Sequence, residues 1–258
     1  MGNSPLVAYT ALSPNHSGKR THTIDTISIH CMAGNLSVES CGALFAKSSR
    51  KASSNYGIGS DGRIALYVDE GNRSWCTSSN ANDQRAVTIE VANSVAAHPW
   101  PVSDAAYGAL IELLVDICQR NGIKALLWEG DKSLIGQVER QNMTVHRWFA
   151  AKACPGDWLY ERHGQIAAEV TKRLSEEDED NVTRYQKVTD IPDSYCWRGI
   201  VDDLMTAGII NGDGSDPDGN DDVIDLSQDM VRMLIFNYNA GVYDAALEAA
   251  GLDPDKYK

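Results

Sequence analysis

The sequence predicts an α/β layer structure followed by a small all-helical domain. Three observations carry this reading. Short stretches with a period of two recur between residues 23 and 93. Apolar residues then switch to helical spacing over 103–122 and 158–174. The charge balance also changes along the chain. Residues 1–175 hold 17 basic and 16 acidic side chains, whereas residues 176–258 hold 6 and 20. The net charge of −13 therefore comes from the last third. This places a domain of catalytic size over 1–175, an acidic linker over about 176–187 and a second domain over 188–258.

Composition narrows the function classes. With no concentrated basic face, a nucleic-acid partner is not expected. No stretch reaches 18 consecutive apolar residues, so no membrane insertion is expected, and the polar N-terminal stretch gives no conventional signal peptide. Six cysteines at irregular spacing in a chain of 258 residues read as free thiols rather than as a disulfide framework.

The elements follow in order. TIDTISIH (23–30) is a short strand, with Ile27 and Ile29 on one face and Ser28 and His30 on the other. YGIGSDGRIALYV (56–68) reads as two strands around a Ser60-Asp61-Gly62 turn. RAVTIEVAN (85–93) is a strand that sets Glu90 opposite Val87, Ile89 and Val91. Residues 103–122 form a helix capped by Ser103 and stopped by Gly122, with Leu110, Leu113, Leu114 and Ile117 as its apolar stripe. IKALLW (123–128) is expected as a strand and 158–174 as a helix. SEEDED (175–180) is expected as a solvated helix end and linker. Two further helices are expected over 195–210 and 226–243, the second capped by Ser227.

The chemistry concentrates in HRWFAAKACPG (146–156), which holds His146, Lys152 and Cys154. Histidine and cysteine suit zinc, and hydrolytic zinc sites use three protein ligands and leave one position open. His30 can supply a third. On spacing alone the bland readings stand beside this one: a satisfied histidine, an inert buried cysteine, a surface lysine. Cys154 as a nucleophile is a further alternative.

Four ordered blocks add to this: SIHCMAG (28–34), SSNYGIGSDGRI (53–64), RAVTIEVAN (85–93) and TVHRWFAAKACPG (144–156). Together they resemble the zinc-dependent N-acetylmuramoyl-L-alanine amidases related to phage lysozyme-type amidases and peptidoglycan recognition proteins. The resemblance covers about residues 1–175. It implies a mixed central β-sheet flanked by helices, with Zn2+ held by His30, His146 and Cys154. It also implies that Lys152 is the active-site lysine. One branch of the family carries a tyrosine just before the position of Asn55, where this chain has Ser54, so Glu90 is expected as the proton-transfer residue. Asn55, Trp75 and Trp148 are expected to line the substrate groove, Trp148 having a rival reading as core. The implied reaction is hydrolysis of the amide between N-acetylmuramic acid and L-alanine in peptidoglycan. The implied setting is a phage or prophage endolysin, held in the host cytoplasm before lysis and then released to the cell wall. The alternatives are a non-catalytic peptidoglycan-binding protein and a zinc endopeptidase acting on another muropeptide bond.

In the last third, Trp197, the run Gly208-Ile209-Ile210-Asn211-Gly212, Ser227 and Arg232 resemble an S-layer-homology-type module. That implies binding to a cell-wall polymer. Homodimerisation, or stabilisation of the catalytic domain, is the alternative. Aspartates 213, 216 and 218 invite calcium but lack the glycine and glutamate offsets of an EF-hand, so a solvated loop is the preferred reading.

Overall fold

The computed structural model describes residues 2–180, 183–192, 196–212 and 223–258. The chain divides into two compact units, Met1–Glu176 and Glu177–Lys258. In chain order the first unit contains β1 (Val7–Thr10), β2 (His16–Lys19), β3 (Thr26–Cys31), α1 (Val38–Phe45), β4 (Tyr56–Ile58) and β5 (Ile64–Leu66). There follow β6 (Asn72–Ser74), α2 (Asn80–Arg85), β7 (Ala86–Val91), α3 (Asp104–Asn121), β8 (Met143–Thr144) and α4 (Asp157–Asp180).

Six of the strands form one sheet in the order β1-β5-β4-β7-β3-β8. β4 and β5 pair antiparallel, and the other neighbours run parallel. The sheet is therefore mixed, and α3 and α4 contribute their apolar stripes to its core. β3 lies next to the edge strand and is buried along its whole length. Ile27 and Ile29 enter the main core, as their alternation predicts. Ser28 and His30 share the other face, which is equally buried and hydrogen-bonded rather than wet.

Local chemistry explains the elements that flank the sheet. The β4–β5 hairpin closes with Gly59 N donating to Arg63 O at 2.9 Å. Gly62 in this turn has φ +83, and a Cβ there would lie 2.9 Å from the Ala105 carbonyl, so only glycine lets the turn approach α3. Ser103 caps α3 by accepting from Ala106 N, and Gly122 ends it in the left-handed conformation. Leu110, Leu113, Leu114 and Ile117 are all fully buried. Each stabilises the fold by about 1.5–3 kcal/mol relative to exposure.

Two expectations change. Residues 123–128 form no strand. Side chains take over the backbone pairing there: Leu126 N donates to Thr171 Oγ1, Leu127 N to Asn142 Oδ1, and Asn142 Nδ2 to Ala125 O. An extended segment satisfied this way needs no ladder partner. The acidic run 175–180 is a helix end, as one part of its expectation had it, because α4 continues to Asp180, so the linker part of that expectation does not begin there.

The second unit contains β9 (Arg184–Lys187), α5 (Trp197–Thr206), β10 (Val223–Ser227), α6 (Gln228–Asn239) and α7 (Asp244–Ala249). The expected helices are present, and Ser227 caps α6 by accepting from Met230 N. They are joined by an antiparallel β9–β10 ladder that the all-helical reading did not contain. Ile224 and Leu226 alternate inward against Tyr185, a period too short to stand out beside the helix it precedes. Aspartates 213, 216 and 218, and the calcium question with them, lie outside the described residues. Among the described residues, no helix is long and apolar enough to cross a membrane.

Candidate metal centre and cleft

Two strands and one loop assemble the site. β3 and β7 pair in parallel with His30 opposite Glu90 in the ladder. β8 lies on the other side of β3 and leads into a short 3-10 turn, His146–Trp148, followed by the loop to Pro155. Arg147 staples that loop. Its backbone N donates to Cys154 O at 3.1 Å, and its guanidinium donates to Ala153 O at 2.6 Å and Asp157 Oδ1 at 3.0 Å. The fold thus brings His146 and Cys154, eight residues apart in sequence, back to one point beside His30.

The donor atoms of His30, His146 and Cys154 all lie within 4.8 Å of one another. His30 Nδ1 is 3.3 Å from Cys154 Sγ, and the two imidazole centroids are 5.2 Å apart. The tautomer of His30 follows from its neighbour. Ser28 Oγ donates its one proton to Thr144 O at 3.2 Å, so at 3.2 Å from His30 Nε2 it accepts the ring N–H. That leaves the Nδ1 lone pair facing the sulfur. Ser78 Oγ stands 3.2 Å from Nε2 of His146, a pair in which either group can donate. Two imidazoles beside serine hydroxyls and one thiol are a donor set suited to zinc, which leaves a fourth position open. The residues therefore fit Zn2+.

The electrostatics agree with a site built for a cation. Burial holds His30 well below its usual pKa, helped by His146 and His163, so its imidazole is neutral and able to ligate. His146 is lowered by burial and by Lys152. The Cys154 thiol is pushed well up by the hydrogen bond it shares with Cys31, by burial and by Glu90. A divalent cation reverses that last effect, since coordination deprotonates a thiol.

A cleft of about 640 Å³ opens beside this cluster. Glu90, His146, Lys152 and Trp75 are among the residues that line it. Met32, Leu36 and Leu44 give it an apolar wall, and Arg50, Lys51 and Arg73 add cations that sequence reasoning missed. Desolvation raises the Glu90 carboxyl to about 8, with the Cys31 thiol adding to the rise and Arg50 opposing it.

Two expected groove residues are reassigned by the structure. Asn55 is fully buried. Its side chain accepts from Arg20 and Thr88 and donates to the carbonyls of Val68, Asp69 and Asn72, so it ties β4 to its neighbours and has nothing left for a substrate. Trp148 is only 8% exposed and stacks on Trp128, with centroids 5.0 Å apart and planes 5° from parallel. It is core, as its rival reading held.

Comparison with known proteins completes the picture. A sequence profile of the N-acetylmuramoyl-L-alanine amidase family matches residues 20–157, more than half of the chain. No curated protein matches the chain in sequence. Similar solved structures include a mutant endolysin from Bacillus subtilis, at 14% identity and TM-score 0.46 over 64% of this chain and 99% of that one. A selenomethionine derivative of AmpD gives 18% identity and TM-score 0.47 over 65% and 99%. Drosophila peptidoglycan recognition protein SD gives 21% and 0.45 over 62% and 94%.

Proposed function

The chain belongs to the N-acetylmuramoyl-L-alanine amidase family, and on that premise we propose that it is a zinc hydrolase cutting the amide between N-acetylmuramic acid and L-alanine in bacterial peptidoglycan. The observation that carries the catalytic half of this reading is the His30, His146 and Cys154 cluster with Glu90 and Lys152 at the same cleft. A protein that only binds the polymer has no need to keep three zinc donors and a buried carboxylate together.

Bound by these three side chains, zinc supplies a Lewis acid for the scissile carbonyl and lowers the pKa of water. The remaining work falls to the chain. Glu90 takes the proton of the attacking water and returns it to the leaving amine of L-alanine. A carboxyl raised to about 8 by burial sits near the working pH, where a group can both accept and give back a proton. Lys152 places its ammonium at the cleft to balance charge developing on the carbonyl oxygen. The apolar wall and Trp75 give the sugar and stem peptide a surface to lie on. Arg50, Lys51 and Arg73 suit the carboxylates of a stem peptide.

The C-terminal unit is proposed as a wall-targeting module, supported by the Trp197, Gly208–Gly212, Ser227 and Arg232 pattern. Its 20 acidic against 6 basic residues over 176–258 make a polyanionic ligand unfavourable and a neutral glycan the better partner. The setting we propose is that of a phage or prophage endolysin, held in the host cytoplasm and then released to the wall. It rests on the motif resemblance.

The test is release of soluble fragments from purified peptidoglycan. The zinc-loaded protein releases them, a chelator stops release, and added zinc restores it. Binding to the polymer with no release under any condition would instead establish the non-catalytic reading.

A further inference from the structure

Glu90 is expected to move a proton, and a carboxylate that does so has to be held still. The usual way is a set of hydrogen bonds from neighbouring donors. Among the described residues, the one hydrogen bond to the Glu90 carboxylate is a long one from Cys76, with Sγ 4.0 Å from Oε1, and a His30 ring nitrogen lies within 4.8 Å of both groups. Oε2 is buried and has no hydrogen-bond partner. An unpartnered buried carboxylate oxygen is costly, and its presence beside the cleft marks an atom kept free for another use.

The thiol that meets Oε1 is itself firmly placed. Cys76 is 8% exposed and lies between β6 and α2. Asp83, on α2, gathers that connection from below. Its carboxylate accepts from Cys76 N at 3.2 Å, from Thr77 N at 3.2 Å and from Thr77 Oγ1 at 2.6 Å. On the preceding side, Trp75 N donates to Ser53 Oγ and Trp75 Nε1 to Ser17 Oγ. Burial pushes the Cys76 thiol well above its ordinary pKa, with Glu90 and Asp83 adding to the rise and a hydrogen bond with Thr88 opposing it. These bonds place the Cys76 sulfur beside Glu90 Oε1.

We infer that Cys76 is a positioning residue for Glu90: its S–H holds Oε1 and so fixes the carboxylate at the cleft, leaving Oε2, which has no hydrogen-bond partner, to exchange the proton. The inference rests on the proposed role of Glu90, but the contact itself can be tested without catalysis. A thiol S–H stretch lies in an infrared window free of other protein bands and shifts with hydrogen bonding. The Cys76 band is identified in the full-length zinc-loaded protein as the one lost in Cys76→Ser. In Glu90→Ala this band moves to the frequency of a free thiol. A band unmoved by Glu90→Ala overturns the inference, whatever the enzyme does.

Turnover gives the second arm. Cys76→Ala lowers kcat by about 10–100-fold, the loss that follows loosening of a catalytic group, with KM, zinc content and melting temperature unchanged. Cys76→Ser restores the donor and recovers most of kcat. Equal kcat in wild type and Cys76→Ala overturns the inference while leaving the amidase reading intact. A wild type without amidase activity fails the amidase reading, and the infrared result then still decides the contact.

Discussion

His30 and Glu90 stand directly opposite one another in the β3–β7 ladder, in register on adjacent parallel strands. The sheet therefore spaces the proposed metal donor and the proposed proton-transfer group by backbone hydrogen bonds rather than by a loop. His30 is fully buried, and Glu90 is half-buried at the cleft, where desolvation raises its carboxyl to about 8. A rigid scaffold of this kind fixes a catalytic pair more tightly than loops do.

On the proposed reading, zinc binding depends on three side chains, His30, His146 and Cys154. His146→Ala and Cys154→Ser each retain the far-ultraviolet circular dichroism of the wild type and lose bound zinc on dialysis, measured by metal analysis. Each also loses fragment release. Full zinc content in both variants would remove these residues from the metal site.

Ser28 acts through His30. Ser28→Ala removes the acceptor of the Nε2 proton and with it the fixed tautomer. Zinc affinity falls by about 10–100-fold, as for other partners of metal-bound histidines. Competition with a chromophoric chelator measures it, and an unchanged affinity would contradict the tautomer argument.

Glu90→Gln keeps the shape of the side chain and removes its basicity. Zinc stays bound, KM for a soluble muropeptide changes little, and kcat falls by about 10²–10⁴-fold. A variant as fast as the wild type would show that proton transfer is done elsewhere.

The two groove tryptophans separate by burial. Trp148→Ala empties a stacked position in the core and lowers stability by about 3–5 kcal/mol in denaturant unfolding. Trp75→Ala leaves stability nearly unchanged and raises KM. The reverse pattern would place the substrate against Trp148.

Glu70 tests the fold apart from the chemistry. It is fully buried, accepts from Tyr56 Oη, Arg120 and Asn121, and ties the end of α3 to the chain after β5. Glu70→Gln leaves Arg120 with Asp116 as its remaining carboxylate partner and weakens charge-assisted hydrogen bonds at a buried site, lowering stability by about 1–3 kcal/mol. A loss below about 1 kcal/mol, the level of an exposed pair, would contradict a structural role.

How much of this was legible in the sequence depends on the range of the interaction. Alternation and caps are local, so β3, β7, the Gly62 hairpin and the Ser103-capped helix can be read directly. The three ligands were legible only as candidates by spacing; the motif resemblance joined them, because nothing local says that residue 30 meets residue 154. Residues 123–128 misled because extended backbone looks the same whether a strand or the side chains of Asn142 and Thr171 satisfy it. Asn55 misled because a polar residue in a motif resembles a ligand contact until its buried partners are seen. Ser28 carried a signal, two residues before His30 on the same strand face. Ser78, Cys76 and the arginines of the cleft carried none, since each reaches the site through a turn whose path depends on tertiary packing.

The most direct test of the central claim is the chemistry of the ends that the protein creates. Purified peptidoglycan is digested with the zinc-loaded protein, and the products are resolved by mass spectrometry beside a chelated control. The account predicts glycan strands bearing free lactyl carboxylates on N-acetylmuramic acid, together with intact stem peptides that begin at L-alanine, both absent from the control. Fragments cut between two amino acids of the stem, or products that persist without zinc, would contradict it.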